Sequence, residues 1–329
     1  MTRYVAMRLA GVAGVLLVIC AVTFTIFYVF PADPALQACG KSCTPERLAM
    51  LHHQMGLDRP LWRQFTDYLG GIFAGRSYGS GPQAVRCHVP CLGFSYQNNM
   101  PVWDLMMQRL PTTVSIGIGA AVLWLVGGVT VGVVSALRKD SLLDRTMMVG
   151  TLTSASLPIY FTAMALTVLV VQIGGLLPYS SYVPFAEDPA TWAKNLVLPW
   201  VALALLYAAM YARLSRASMV ETMAEPYIRT ARAKGLPERT VVTKHGLRAG
   251  LTPVLTVFGM DLGALLGGAL ITESVFGLPG IGRLTIDSID KSDQPVVMGV
   301  ALLAAFFITF ANLVVDLLYA AIDPQVRYA

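Results

Sequence analysis

Apolar residues gather along this chain in six long runs, near residues 9–30, 109–137, 145–173, 196–214, 253–275 and 297–320. Polar stretches rich in Gly and Pro separate them. A bilayer crossing needs about 20 mostly apolar residues, and each run is close to that or longer. Backbone groups in lipid must be satisfied inside the segment, so the runs are expected to be helices. The pattern predicts an all-α, polytopic membrane protein with six transmembrane helices. Pro158 and Pro199 are expected to kink the third and fourth. The first run follows Arg3 and Arg8, as in a secretory signal. It is longer than a signal's apolar stretch and no A-x-A site follows, so it reads as a retained anchor. Three parts result: 1–30 with the N-terminus and first helix, 31–108 as an inserted segment, and 109–329 as a five-helix core with a loop at 215–252.

The inserted segment has a different rhythm. "TPERLAMLHHQMG" starts with Thr44 as an N-cap and Pro45 at the first helical position, and Gly56 closes it. "PLWRQFTDYLGGIFAG" reads as a second amphipathic helix with Leu61, Phe65, Tyr68, Leu69 and Ile72 on one side. Two short helices lying on the membrane or on a neighbouring subunit suit this composition better than an independent domain.

Composition agrees with lipid as the solvent. The chain is 55% hydrophobic and 13% charged, with mean hydropathy +0.61. Soluble domains carry about a quarter charged residues. A net charge of +5 would suit nucleic acid, but the cations lie between or beside apolar runs. No nucleic-acid partner is expected. Segments 1–8, 138–145, 213–252 and 321–329 hold 14 of the 24 Lys and Arg residues. By the positive-inside rule both termini are cytoplasmic and 31–108 is outside.

Candidate chemistry is sparse. Four of the five cysteines form C-x3-C pairs in the outer segment, Cys39 with Cys43 and Cys87 with Cys91. Outside the cytoplasm they are expected to form disulfides. Links between the two pairs are favoured, because the side chains of a helical C-x3-C pair are poorly oriented for a mutual bond. Zinc, with His52, His53 and His88, is the alternative; the favoured reading has no metal. Asp261, Glu273 and Asp316 are acids in the apolar runs. Asp261 is the most embedded, and either bonds a neighbouring helix or lines a path. Gly259, Gly263 and Gly267 recur every four residues, as do Gly128 and Gly132, which suits close helix packing. Gly263 and Gly267, with Asp261 and Glu273, are also candidates for a path or gate. There is no phosphate loop, H-E-x-x-H or G-x-S-x-G, so no enzyme activity and no cofactor on this chain is expected.

One stretch remains. "RTARAKGLPERTVVTKHGLRAG", 229–250, holds six cations and one acid. Glu225 and Pro226 suit the start of a helix. Tyr227, Ile228, Arg229, Thr230, Ala231, Arg232, Ala233 and Lys234 make about two turns, Gly235 caps them left-handed, and Pro237 stops continuation. Arg229 and Arg232 share one face, Ile228 and Ala231 another. The product is a short basic knob suited to docking on another protein.

That order resembles the cytoplasmic signature loop of binding-protein-dependent ABC importer permeases. "EPYIRTARAKGL", "KHGLRAGLTPVLT", "ESVFGLPGIGRL", "DQPVVMG" and "NLVVDLLYAAIDPQVR" resemble the first permease subunit of the dipeptide, oligopeptide and nickel group. "FYVFPADP", "MGLDRPLWRQFTDYLGGIFAG" and "LGFSYQNNMPVWDLMMQRLPTTV" extend the likeness over nearly the whole chain. Ala32, the insertion near 76–91, the loop near Cys39 and Asp261 depart from it. The resemblance implies a type I importer permease fold in a bacterial plasma membrane. It implies a second homologous permease, two ATP-binding cassette subunits carrying ATP and Mg, an extracytoplasmic binding protein and surrounding lipid. Residues 225–235 would couple to an ATPase subunit. Short peptides are the implied substrate, with nickel chelates or another small solute as alternatives. A self-sufficient secondary transporter is the competing class.

Overall fold

The computed structural model describes residues 2–29, 34–39, 43–78 and 84–322. Its described residues are mostly helical. Four helices are long and apolar enough to cross a bilayer: Met7–Phe27, Val102–Leu137, Pro189–Ala224 and Gln294–Val315. Two bent pairs raise the number to six if each counts as one span. Four of the six runs lie in the four helices and the third in the bent pair 142–173; the fifth, 253–275, overlaps only the second half of the other pair, 238–266.

The chain divides into two compact units. One holds the described residues of Met1–Thr113 together with Leu266–Leu270 and Pro279–Leu313. The other holds Val114–Leu265, Ile271–Leu278 and the described part of Val314–Ala329.

In the first unit α1 (Thr2–Phe24) continues into a π-helical turn at Thr25–Val29. Then come α2 (Pro34–Cys39), α3 (Pro45–Met55) and α4 (Leu61–Ala74). Thr44 caps α3 through its hydroxyl, which accepts from the Arg47 N–H at 3.3 Å. Gly56 closes α3 at φ 71°, in the left-handed region that costs other residues about 1–2 kcal/mol. Phe65, Leu69 and Ile72 of α4 pack against a core that includes Phe24, Tyr68, Val102, Met106, Ile281 and Met298.

Two small ribbons follow, which the periodicity did not foresee. β1 (Arg76–Tyr78) pairs antiparallel with β2 (Val85–Cys87), and β3 (Phe94–Ser95) with β4 (Met100–Pro101). Strands of two or three residues are too short to show a period. The second ribbon is clipped by a buried acid. Asp293 accepts from the Ser95 hydroxyl at 2.5 Å and from the Asn98 amide at 3.3 Å. Burial pushes its carboxyl above the usual carboxylate range, against these hydrogen bonds.

The cysteine pairing corrects the expectation. Cys39 bonds to Cys43 and Cys87 to Cys91, each within its own C-x3-C pair. The assumption that failed was a helix across each pair. Cys39 ends α2 and Cys43 lies beyond it, while Cys87 ends β2 and Cys91 follows a turn. Freed from helical geometry, the Cα atoms sit 5.3 and 5.5 Å apart, within the range a disulfide spans. Bonded to each other, these sulfurs are not available as zinc ligands.

In the second unit α5 (Val102–Leu137), shared with the first, leads to α6 (Leu142–Ser156) and α7 (Ile159–Leu166). The α6–α7 pair bends by 100°. Pro158 explains the break, since a residue before proline is driven out of the helical region, and Leu157 is extended at φ −86°, ψ 126°. Pro199, by contrast, lies inside the uninterrupted α8 (Pro189–Ala224). The fifth run is broken too, between Leu266 and Leu270, and a bend lies just ahead of it. α10 (Glu238–Thr240) and α11 (Leu247–Gly250), joined by a π-helical turn, meet α12 (Thr252–Leu266) at a 48° bend; α13 (Leu270–Val275) is separate. α14 (Ile281–Asp290) and α15 (Gln294–Ile322) complete the order, with α9 between α8 and α10 described next. The side chain of Asp316 and residues 323–329 lie outside the described part.

Candidate functional site

At 36 residues α8 is about 54 Å long, well beyond the roughly 30 Å of a hydrocarbon core. Its end is stopped by Pro226, which holds Glu225 extended at φ −63°, ψ 146°. The chain then re-enters a helix, α9 (Pro226–Ala233). Ile228 and Ala231 are buried with Val241, and Met223 packs on them. Tyr227, Arg229, Thr230, Arg232, Ala233 and Lys234 are exposed. The apolar pair at i, i+3 fastens the knob; everything else on it is offered outward.

Gly235 ends α9 at φ 76°. Its N–H donates to the Arg232 carbonyl at 2.9 Å, and the Leu236 N–H to the Ala231 carbonyl at 3.4 Å. These are the two bonds of a Schellman cap. A Cβ at this position would meet nothing within 4 Å, so only the backbone demands glycine here. Arg232 forks onto Glu238, Nη2 to Oε1 at 2.7 Å and Nε to Oε2 at 3.1 Å. That carboxylate pushes the Arg232 guanidinium higher still, and the pair ties α9 to α10.

Gly246 and Gly250 serve differently. A Cβ at Gly250 would lie 2.6 Å from the Met219 sulfur, and one at Gly246 3.0 Å from that of Met223. The second half of the basic loop thus folds back along α8. The spacing of four was the available signal, and the sequence reading passed over it.

Where the loop's end of α8 meets the α5–α6 turn sits an ion pair with a buried acid and a partly buried cation, which the sequence reading missed. Arg216 of α8 grips Asp144 of α6 with two bonds, Nε to Oδ1 at 2.7 Å and Nη2 to Oδ2 at 2.6 Å. The Ser135 hydroxyl of α5 also donates to Asp144, and the Asp140 N–H donates at 3.0 Å. Asp144 in turn donates its N–H to the capping Ser141 hydroxyl at 3.1 Å. Its carboxylate has four donors from three segments and is 3% exposed. The S-x-x-D spacing at 141–144 signalled a helix start; nothing local signalled Arg216, 72 residues away.

Asp261 of α12 is held more lightly. Its Oδ2 accepts from the Tyr211 hydroxyl at 2.8 Å. Tyr211 is fully buried beside Trp124, which stacks on Tyr207 at 4.6 Å and also meets Phe258 at 6.2 Å. Asp261 is half-buried, and among the described residues no cation pairs with it. The aromatic cluster orients Tyr211, and Tyr211 orients one edge of the carboxylate.

The other sequence candidates spread out. Glu273 is fully buried on α13, across the break from α12. Gly259 and Gly263 are buried on α12, while Gly267 lies in the turn after it. Gly128 and Gly132 face α8: a Cβ at Gly128 would come 2.8 Å from the Ala208 carbonyl oxygen, and one at Gly132 would overlap that of Ala212. At these points α5 and α8 meet backbone to side-chain root. The structure brings together the knob residues 225–235 and pairs Asp261 with Tyr211.

Comparison with known proteins covers nearly the whole chain. Residues 128–328 match the family described as binding-protein-dependent transport system inner membrane component, and residues 1–117 match its N-terminal counterpart. The dipeptide transport system permease DppB of Escherichia coli K12 is 34% identical over 352 residues, covering 100% of this chain and 99% of the relative. A putative peptide transport system permease of Brucella abortus (strain 2308) is 35% identical over 328 residues, covering 100% of each. The glutathione transport system permease GsiC of Escherichia coli O6:H1 is 35% identical over 332 residues. Among solved structures, the inward-facing MetNI methionine ABC transporter aligns with TM-score 0.53 at 17% identity, covering 67% of this chain and 97% of that one. An amino acid ABC transporter aligns with TM-score 0.51 at 16% identity, covering 67% and 94%. These two show likeness of fold.

Proposed function

This chain belongs to the family of binding-protein-dependent transport system inner membrane components, and from that premise we propose that it imports short peptides as half of an ATP-driven translocation path. It is a membrane-embedded permease subunit that works with other subunits of an ABC importer and is not itself the ATPase. In the proposed assembly a second homologous permease completes the path. Two cassette subunits bind ATP with Mg, and an extracytoplasmic binding protein delivers substrate to the 31–108 side. Both termini and the loop 215–252 are cytoplasmic.

The observation that carries the reading is the knob. Glu225–Gly235 is fastened from behind by Ile228 and Ala231 and capped by Gly235, with its polar face uncovered. A loop needed only as a topological anchor has no use for a fastened, capped helix. Seated on an ATPase, it would pass a rigid-body motion into α8, and Arg216–Asp144 would carry it to α5 and α6.

Asp261 is proposed to face the path. A half-exposed carboxylate in a span costs several kcal/mol against lipid, and one tyrosine hydroxyl does not remove that cost. Peptides are favoured because two of the three full-length relatives named above are dipeptide or peptide permeases. Glutathione or a similar small solute is the second reading, favoured by equal identity to the glutathione permease.

The test is purification of the tagged chain from its native membrane in mild detergent, then reconstitution. Co-purifying ATPases, hydrolysis stimulated by loaded binding protein and uptake of a labelled dipeptide are expected. Uptake without any ATPase would favour a self-sufficient transporter. Stimulation by glutathione-loaded but not peptide-loaded binding protein would favour the second reading.

A further inference from the structure

The first spanning helix is bare over most of its length: 17% of its apolar window in Met7–Phe27 is buried. Its packing gathers toward one end, where Cys20 and Phe24 enter the core of the first unit. There Phe24 meets Phe65 of α4 edge-on at 5.2 Å and Tyr68 at 6.2 Å. Phe24 is six residues, about 9 Å, from the end of the apolar run at Phe30. α4 therefore touches α1 within two turns of the point where apolar chain gives way to the polar segment at Pro31, close to the depth of lipid headgroups.

The flank of α4, beside its packed face, carries two bare rings. Trp62 is 64% exposed and Phe73 78%. Eleven residues make close to three turns, so the rings stand on one line about 16 Å apart. Thr66, exposed and uncharged, and Leu69, partly buried, lie between them along that line. The charges are on the face opposite the packed one. Arg59 bonds Asp67 at 2.7 Å, and the Arg63 guanidinium sits 5.4 Å over the Trp62 ring.

We propose that α4 is an interfacial helix, with Trp62 and Phe73 seated in the bilayer at the end of α1 and Arg63 beside the lipid phosphates. The bilayer is the occupant of this face. Three features select it over water or protein. The helix is pinned to a mostly bare span at that span's end. The stripe is uncharged along its full length, unlike the water-facing stripe of a short surface helix. Its rings and adjacent guanidinium are the residue types that settle at a membrane interface, with apolar bodies in the acyl region and polar atoms in the headgroups. The inference uses membrane embedding alone and is independent of the transported solute.

The experiment is spin-label accessibility on the full chain in its native complex, in nanodiscs of phosphatidylcholine and phosphatidylglycerol. Labels go on Trp62→Cys and Phe73→Cys, with Val18→Cys, exposed in mid-span, as the lipid reference. The other cysteines are disulfide-bonded or buried, so they stay unlabelled. Both α4 labels should collide several-fold more often with oxygen than with a water-soluble nickel chelate, as at position 18 but at shallower depth. Ready collision with the chelate would place the stripe in water and overturn the proposal. Poor collision with both would mean that another protein subunit covers it, which overturns it equally.

Discussion

Asp144 and Asp261 are both acids carried by helices of the second unit, and the structure treats them in opposite ways. Asp144 is sealed: Arg216 forks onto it, Ser135 and the Asp140 N–H complete its lone pairs, and three segments meet at it. Asp261 has, among the described residues, one donor, the Tyr211 hydroxyl, and keeps a half-exposed edge. A buried ion pair with every position filled is a fastening, because removing either partner leaves a bare charge. A carboxylate held on one edge is oriented but still available.

Breaking the sealed acid should have the largest effect. Arg216→Met leaves Asp144 buried without its cation and should cost about 3–5 kcal/mol, seen as early unfolding in a detergent melt. Asp144→Leu with Arg216→Met should recover much of that, since removing both charges leaves none unpaired. A single variant as stable as the parent would show that the pair does not fasten the three segments.

The available acid should respond in function before stability. Asp261→Asn keeps a partner for Tyr211, so expression and melting should stay near the parent while uptake falls several-fold. Asp261→Leu orphans a buried hydroxyl and should cost about 1–3 kcal/mol. If the Asn variant melts as early as Arg216→Met, the distinction between the two acids collapses.

Gly235 separates fastening from docking at a third place. Gly235→Ala should cost about 1 kcal/mol through the backbone alone, because no neighbour stands within 4 Å. Gly235→Asp adds charge reversal in a basic patch, so stimulated ATP hydrolysis and uptake should fall further, with membrane insertion intact. Full stimulation in the Asp variant would reduce the loop to a topological anchor.

Asp293, outside the spans, gives the smallest effect and a sign. Burial raises its carboxyl above the ordinary value, so the folded clip binds a proton more readily than the unfolded chain. The stability this contributes is present below about pH 4 and is lost as pH rises through the folded value. Hydrogen exchange of the 94–101 ribbon should quicken over that rise beyond its intrinsic pH dependence, and Asp293→Asn should flatten the excess.

How much of this was legible depended on whether the cause was local. The apolar runs, the Thr44 and Gly56 caps of α3, and the Pro226-to-Gly235 outline of the knob all follow from neighbours within a turn or two. The cysteine pairing failed because it assumed helix where the chain had already left it. The 100° break at Pro158 and the unbroken α8 through Pro199 show one residue type with two outcomes. Proline removes the same hydrogen bond in both; the packing around it differs.

By itself the sequence determined that the chain lives in lipid, that its polar segments carry their own caps and stops, and that a basic helix ends at residue 235. Those are matters of hydrophobicity and backbone conformation, which act over a few residues. Tertiary structure alone decided that Asp144 meets Arg216, that Asp261 meets Tyr211, and that Gly246 and Gly250 admit two methionines. Such partnerships join residues far apart along the chain, and only the folded path brings them within bonding distance.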